Sequence, residues 1–62
     1  MDPDATLRLI LDEYLADDME GVIVSCQNLS DWLGKGGFAP DWAKHPVATA
    51  LYRYHIYREK HA

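Results

Sequence analysis

The sequence predicts an all-α protein, a small three-helix bundle with an aromatic, glycine-rich turn between its second and third helices. Three observations predict it. Apolar residues recur with helical period in three stretches, about 3 to 15, 18 to 33 and 46 to 60. Each stretch begins with a helix start, in turn Asp2-Pro3-Asp4, Asp17-Asp18-Met19-Glu20 and Pro46. A strand would need a partner strand, and none is evident in the chain.

At 62 residues the chain reads as a single domain spanning residues 1-62. A domain of this size buries only about 60% of the surface its unfolded chain exposes, so the core is small. Cys26 is the only cysteine. An intramolecular disulfide is therefore excluded, and so is a cysteine-based zinc framework. Stability has to come from packing, within the chain alone or also against a second copy.

In the first stretch Asp2 reads as the N-cap, Pro3 takes the first helical position, and Asp4 meets the positive end of the helix dipole. Leu7, Ile10, Leu11, Tyr14 and Leu15 then form one apolar stripe, with Arg8, Asp12 and Glu13 on the other side.

Asp17 to Glu20 has the spacing of a capping box, with Asp17 accepting from the amide three residues on and Glu20 reaching back. Without the glycine and distal glutamate of a calcium loop, the cap explains these acids better than a divalent cation does. The second stripe is Met19, Val22, Cys26, Leu29 and Leu33. Gly21 costs about 1 kcal/mol inside a helix, and Val22-Ile23-Val24 is β-branched. If the helix breaks, the expected place is Gln27 to Ser30, where Ser30 caps a short final turn. Cys26 lies on the apolar stripe, the ordinary place for a buried, inert thiol.

Gly34 follows the last apolar position, where a left-handed C-cap residue is wanted. Gly36-Gly37 lets the chain reverse, and Trp32, Phe38 and Trp42 are expected to plug the open end of the helical pair. Burying a large side chain is worth about 1.5 to 3 kcal/mol. A phosphate cradle around Lys35 would need the glycine, lysine and hydroxyl spacing of a P-loop after a strand. Here the glycines follow the negative end of a helix.

Asp41 to His45 reads as a short turn before the third helix. Val47, Ala50, Leu51, Tyr54 and the stem of Arg58 form that helix's inner face by spacing. Tyr52 and Ile56 then fall on a second apolar strip, beside Arg53 and Lys60. A helix with two apolar strips is either sandwiched in the core or presents one to another molecule. Tyr52, Arg53, Ile56 and Lys60 are accordingly the expected partner-binding residues.

Charge is divided along the chain. All 10 acids except Asp41 and Glu59 lie in residues 1 to 31, and all 6 Lys and Arg residues except Arg8 lie in residues 32 to 62, for a net charge of −4. Such asymmetry is satisfied inside one molecule, between two, or by an external partner. The segment Met1-Asp2-Pro3-Asp4 has neither a basic n-region nor a long apolar run. No signal peptide, no membrane span and a reducing, cytoplasmic setting are therefore expected.

These features rank the function classes. The first expectation is a small protein-protein interaction or adaptor module without catalysis or cofactor. It would self-associate through paired third helices or through opposed acidic and basic halves, or take another protein. The alternative is a nucleic-acid-binding module using Arg53, Arg58, Lys60 and Tyr52 or Tyr57, against which the negative net charge counts. An enzyme ranks last, because no acid, base and nucleophile stand at telling spacing. His55 and His61 miss the i, i+4 spacing of a helical zinc pair. Ser25, Ser30 and His45 suggest no triad.

Overall fold

A computed structural model describes residues 1–61. Pro3–Leu15 forms α1, Met19–Gly34 forms α2, Trp42–Lys44 a 3₁₀ turn, and Pro46–His61 forms α3. The three helices make the expected all-α bundle. Its core is Leu7, Ile10, Val22, Cys26, Leu29 and Ala48, with Leu11, Trp32, Leu33, Trp42, Leu51 and Tyr52 packed around it.

α1 starts as its sequence dictates, the Asp2 side chain accepting from the Ala5 amide at 3.1 Å with Pro3 behind it. Its end differs from expectation. Asp17 adopts a left-handed φ of 59°, its amide donates to Tyr14 O at 3.1 Å, and the Asp18 amide donates to Glu13 O at 2.9 Å. That is a Schellman closure, with an aspartate in the place glycine usually takes. Asp17 therefore terminates α1, and the N-cap of α2 passes to Asp18, whose carboxylate accepts from the Gly21 amide at 3.0 Å. Tyr14, Leu15 and Met19 flank this connection, beyond the reach of the neighbouring helices, and stay exposed although the stripes include them.

α2 is continuous through Gln27 to Ser30. Burial of Val22, Ser25, Cys26 and Leu29 holds the β-branched run and Gly21 in the helix, because tertiary packing outweighs propensity differences of about 1 kcal/mol or less per residue. The buried Ser25 hydroxyl donates to Glu13 Oε1 at 2.6 Å, joining α1 to α2.

The left-handed residue after α2 is Gly36, with φ 88°, not Gly34. The Gly36 amide bonds Leu33 O at 3.2 Å and the Gly37 amide bonds Trp32 O at 3.0 Å, a second Schellman closure. Trp32 and Trp42 pack against the core as expected, but Phe38 is 64% exposed. Trp32 Nε1 donates to the Phe38 carbonyl at 3.0 Å, and the Phe38 ring rests edge-on against the outside of the indole, 5.5 Å away. Pro40 is buried instead.

α3 turns a different face inward from the one its spacing suggests. Ala48 and Thr49 are buried and Leu51, Tyr52, His55 and Ile56 half-buried, while Val47, Ala50, Tyr54 and Arg58 are exposed. Apolar residues lie on nearly every side of this helix, so periodicity leaves its rotation open. The 3₁₀ turn sets it: Thr49 Oγ1 donates to the Trp42 carbonyl at 3.1 Å, and Tyr52 stacks on the Trp42 ring at 5.5 Å.

The same turn is tied to α1. Asp4 Oδ1 accepts the Asp41 amide at 3.0 Å and lies 3.0 Å from His45 Nε2. An ionised carboxylate only accepts, so Nε2 carries the proton. The Asp41 amide first, then the His45 ring, hold the Asp4 carboxyl below its ordinary 3.8 against the opposing effect of desolvation. A depressed carboxyl stabilises the fold above its unfolded pKa, and that contribution disappears as pH falls through the folded value. Asp4→Asn is therefore expected to melt below the wild type at neutral pH, with the two melting temperatures converging as pH falls below 3.8. A gap independent of pH would show that the ionised form of Asp4 is not what ties the turn down.

Candidate functional site

The four residues expected at an interface are divided by the fold. Tyr52 is stacked on Trp42, and Ile56 lies half-buried on the inward side of α3. Arg53 and Lys60 are exposed. The apolar surface left over on α3 belongs to Val47, Tyr54 and Tyr57, at 53%, 54% and 62% exposure. Sequence reasoning assigned Val47 and Tyr54 to the core because the wrong strip was taken as inner. The near-even spread of aromatics around α3 held no signal to correct it.

Positive charge gathers on this same outer face. Arg58 lies over the Tyr54 ring, 5.9 Å from its centroid, and Tyr57 stacks on His61 at 4.2 Å. Both contacts are one helical turn apart in sequence, the spacing at which side chains meet. Among the described residues, the ion pairs are Lys35 with Asp31, Lys44 with Asp41, and His45 with Asp4. Among the described residues Arg53, Arg58 and Lys60 have no carboxylate partner, and the acids Asp17, Asp18 and Glu20 have no basic one. Ion pairs among the described residues therefore do not cancel the charge division seen along the sequence.

Between α2 and α3 lies an open groove of about 280 Å³, lined by Ile23, His55, Arg58 and Glu59. Gln27 Nε2 donates to Glu59 Oε1 at 2.9 Å and bridges the two helices. Ile23 is 41% exposed on the α2 wall, with Met19 also exposed one turn earlier. A smaller hollow of about 120 Å³ between α1 and the start of α3 is lined by residues that include Leu7, Leu11, His45 and Val47.

The remaining chemical groups are quiet. Burial, followed by the charges of Glu59 and Glu13, pushes the Cys26 thiol up to about 11, which leaves it a protonated core side chain at neutral pH. No group of three or more His, Cys, Asp or Glu residues among those described could hold a metal ion. No helix among them is long and apolar enough to cross a membrane.

Fold and surface together define a small all-α bundle with an aromatic, basic outer helix face beside an open groove. No protein-family model, curated protein or solved structure matches the chain.

Proposed function

We propose that this chain is a protein-protein interaction module of the cytoplasm, without catalytic activity of its own, that docks its partner on the outer face of α3 and the adjoining groove. The observation that carries the reading is the exposure of Tyr54 and Tyr57 on a face whose basic residues have no acidic partner among the described residues. Aromatic side chains and arginine are enriched in interfaces, where they supply contact area with little conformational entropy to lose. The cytoplasm is consistent with one cysteine kept as a buried thiol.

A photo-crosslinking aromatic amino acid at position 57, with the same group at Leu9 on the outside of α1 as control, tests this in the native cell. Crosslinks to protein from position 57 and not from position 9 support the reading. Equal yields from both, or none from position 57, overturn it.

Arg53, Arg58 and Lys60, all exposed beside exposed tyrosines, also favour a second reading, nucleic-acid binding by phosphate contact and base stacking. A nuclease-sensitive crosslink at position 57, with oligonucleotide affinity falling steeply in salt, would select it over the first.

A further inference from the structure

Resting on the interaction reading, we infer that the partner is an amphipathic α-helix with acidic flanks, laid along the outer face of α3 as in a coiled coil. The argument starts from spacing. Val47, Ala50, Tyr54, Tyr57 and His61 are all exposed, and they follow one another at intervals of three, four, three and four residues. That is the a and d rhythm of a coiled-coil seam, which turns one stripe of a helix toward a second helix. The stripe runs for about 21 Å at the usual helical rise.

Charge of one sign borders it. Arg53 and Lys60, seven residues apart, flank the stripe on one side and Arg58 flanks it on the other, at the g and e positions that meet the flanks of a partner helix. All three are exposed, and among the described residues none pairs with a carboxylate. Glu59, the only acid of α3, stands on the opposite side of the helix, where it accepts from Gln27 of α2 at 2.9 Å. Leu51, one heptad before Arg58, packs against the core, so the charged flanks belong to the C-terminal half of the stripe.

Bases without an acid of α3 among them set the sign of the occupant. Laying α3 on the α3 of a second copy would bring Arg53, Arg58 and Lys60 against their own kind in either orientation, because flanking positions meet flanking positions. Like charges so placed repel. A helix with apolar residues on its seam and Glu or Asp on its flanks meets both the stripe and the bases. Nucleic acid would engage the bases but has no use for Val47 and Ala50 at seam spacing, so the observations favour a helix.

The probe is a designed three-heptad peptide with Leu at every a and d position and Glu at every e and g position. It is labelled and titrated with the full chain, binding being read by fluorescence anisotropy. One comparison peptide carries Lys in place of Glu, and another keeps Glu but carries Ser in place of Leu. The Glu peptide is expected to bind in the micromolar range, less tightly in high salt, and each comparison peptide at least about tenfold more weakly. The double variant Arg53→Glu, Lys60→Glu is expected to reverse the preference in favour of the Lys peptide. Arg58→Glu tests the other flank independently, and Lys35→Glu, at the far end of α2, is the control expected to change little. All four positions are exposed, and circular dichroism verifies folding.

Equal binding of the Glu and Lys peptides, Glu-peptide binding that neither flank reversal weakens, or no binding at millimolar concentration overturns the acidic helix. With protein crosslinks from position 57 the interaction reading then still stands, and without them it falls too. A nuclease-sensitive crosslink there gives the stripe to nucleic acid instead. A chain that sediments alone at twice 7.1 kDa, and at the single mass once Tyr57→Ser is made, covers the stripe with a second copy and likewise overturns the proposal.

Discussion

Leu29→Ala is expected to lower the unfolding free energy by about 2 to 5 kcal/mol, the cost of deleting a fully buried leucine when its surroundings collapse only in part. Leu29 is 0% exposed and sits among Val22, Cys26 and the other core residues. A domain of this length has a total stability of only about 3 to 9 kcal/mol at the usual value per residue. The loss is therefore a large share of the whole. Urea unfolding followed by fluorescence of Trp32 and Trp42 measures it, with far-UV circular dichroism showing whether the variant still folds in water. A change below about 1 kcal/mol would mean that Leu29 is not in a close-packed core. Val47→Ala is the companion measurement. Val47 is 53% exposed, so its truncation is expected to change stability by no more than about 0.5 kcal/mol. A cost like that of Leu29→Ala would restore the inner face suggested by spacing.

Gly37→Ala is expected to destabilise by about 1 to 3 kcal/mol, the range for forcing an extra carbon into packed structure. A Cβ at position 37 would collide with the Trp32 indole at Cε2, Cδ2 and Nε1. That ring is held by the core on one side and by its hydrogen bond to the Phe38 carbonyl, so it has no free direction in which to give way. Gly34→Ala provides the contrast within the same turn. Nothing lies within 4 Å of a Cβ there, and Gly34 is the last residue of α2. Alanine at that position is expected to leave stability unchanged or raise it by up to about 1 kcal/mol. Equal effects at the two positions would show that the aromatic plug does not depend on close approach of the backbone to Trp32.

The difference between these two glycines was not visible in the chain. Gly34, Gly36 and Gly37 are equivalent to a reader of composition, and all three were assigned to stopping a helix or reversing the backbone. Their separate tasks emerge from the path of the chain after α2. Gly36 takes the left-handed φ, Gly37 makes room for an indole, and Gly34 remains helical. The two aspartates before α2 behave in the same way. Either can cap a helix, and the Schellman closure of α1 leaves only Asp18 free to do so.

The candidate interface was legible in part. That α3 carries more apolar and aromatic surface than one face requires follows from its composition, as does the presence of bases among those residues. Which of the two strips stays outside did not follow. Tyr52 and Tyr54 are two residues apart on the same helix and chemically identical, and only the stack on Trp42 separates them. The charge division was legible too, but not the fact that Arg58 and Ile23 come to line one groove, which depends on the way α2 and α3 pack.

The amino-acid sequence by itself determined the class of fold, the three helices with their approximate ends, the core positions Leu7, Ile10, Val22, Cys26 and Leu29, and the segregation of charge. Each of these is local or periodic, and a spacing of three and four residues or a capping side chain encodes it within a single turn of helix. Tertiary structure alone decided the rotation of α3, the exposure of Phe38 and Val47, and the groove. Those follow from contacts between residues far apart in the chain, Asp4 with Asp41 and His45, and Gln27 with Glu59, whose pairing no local pattern records. A helix with apolar residues on every side has several faces it can bury, and its neighbours choose among them.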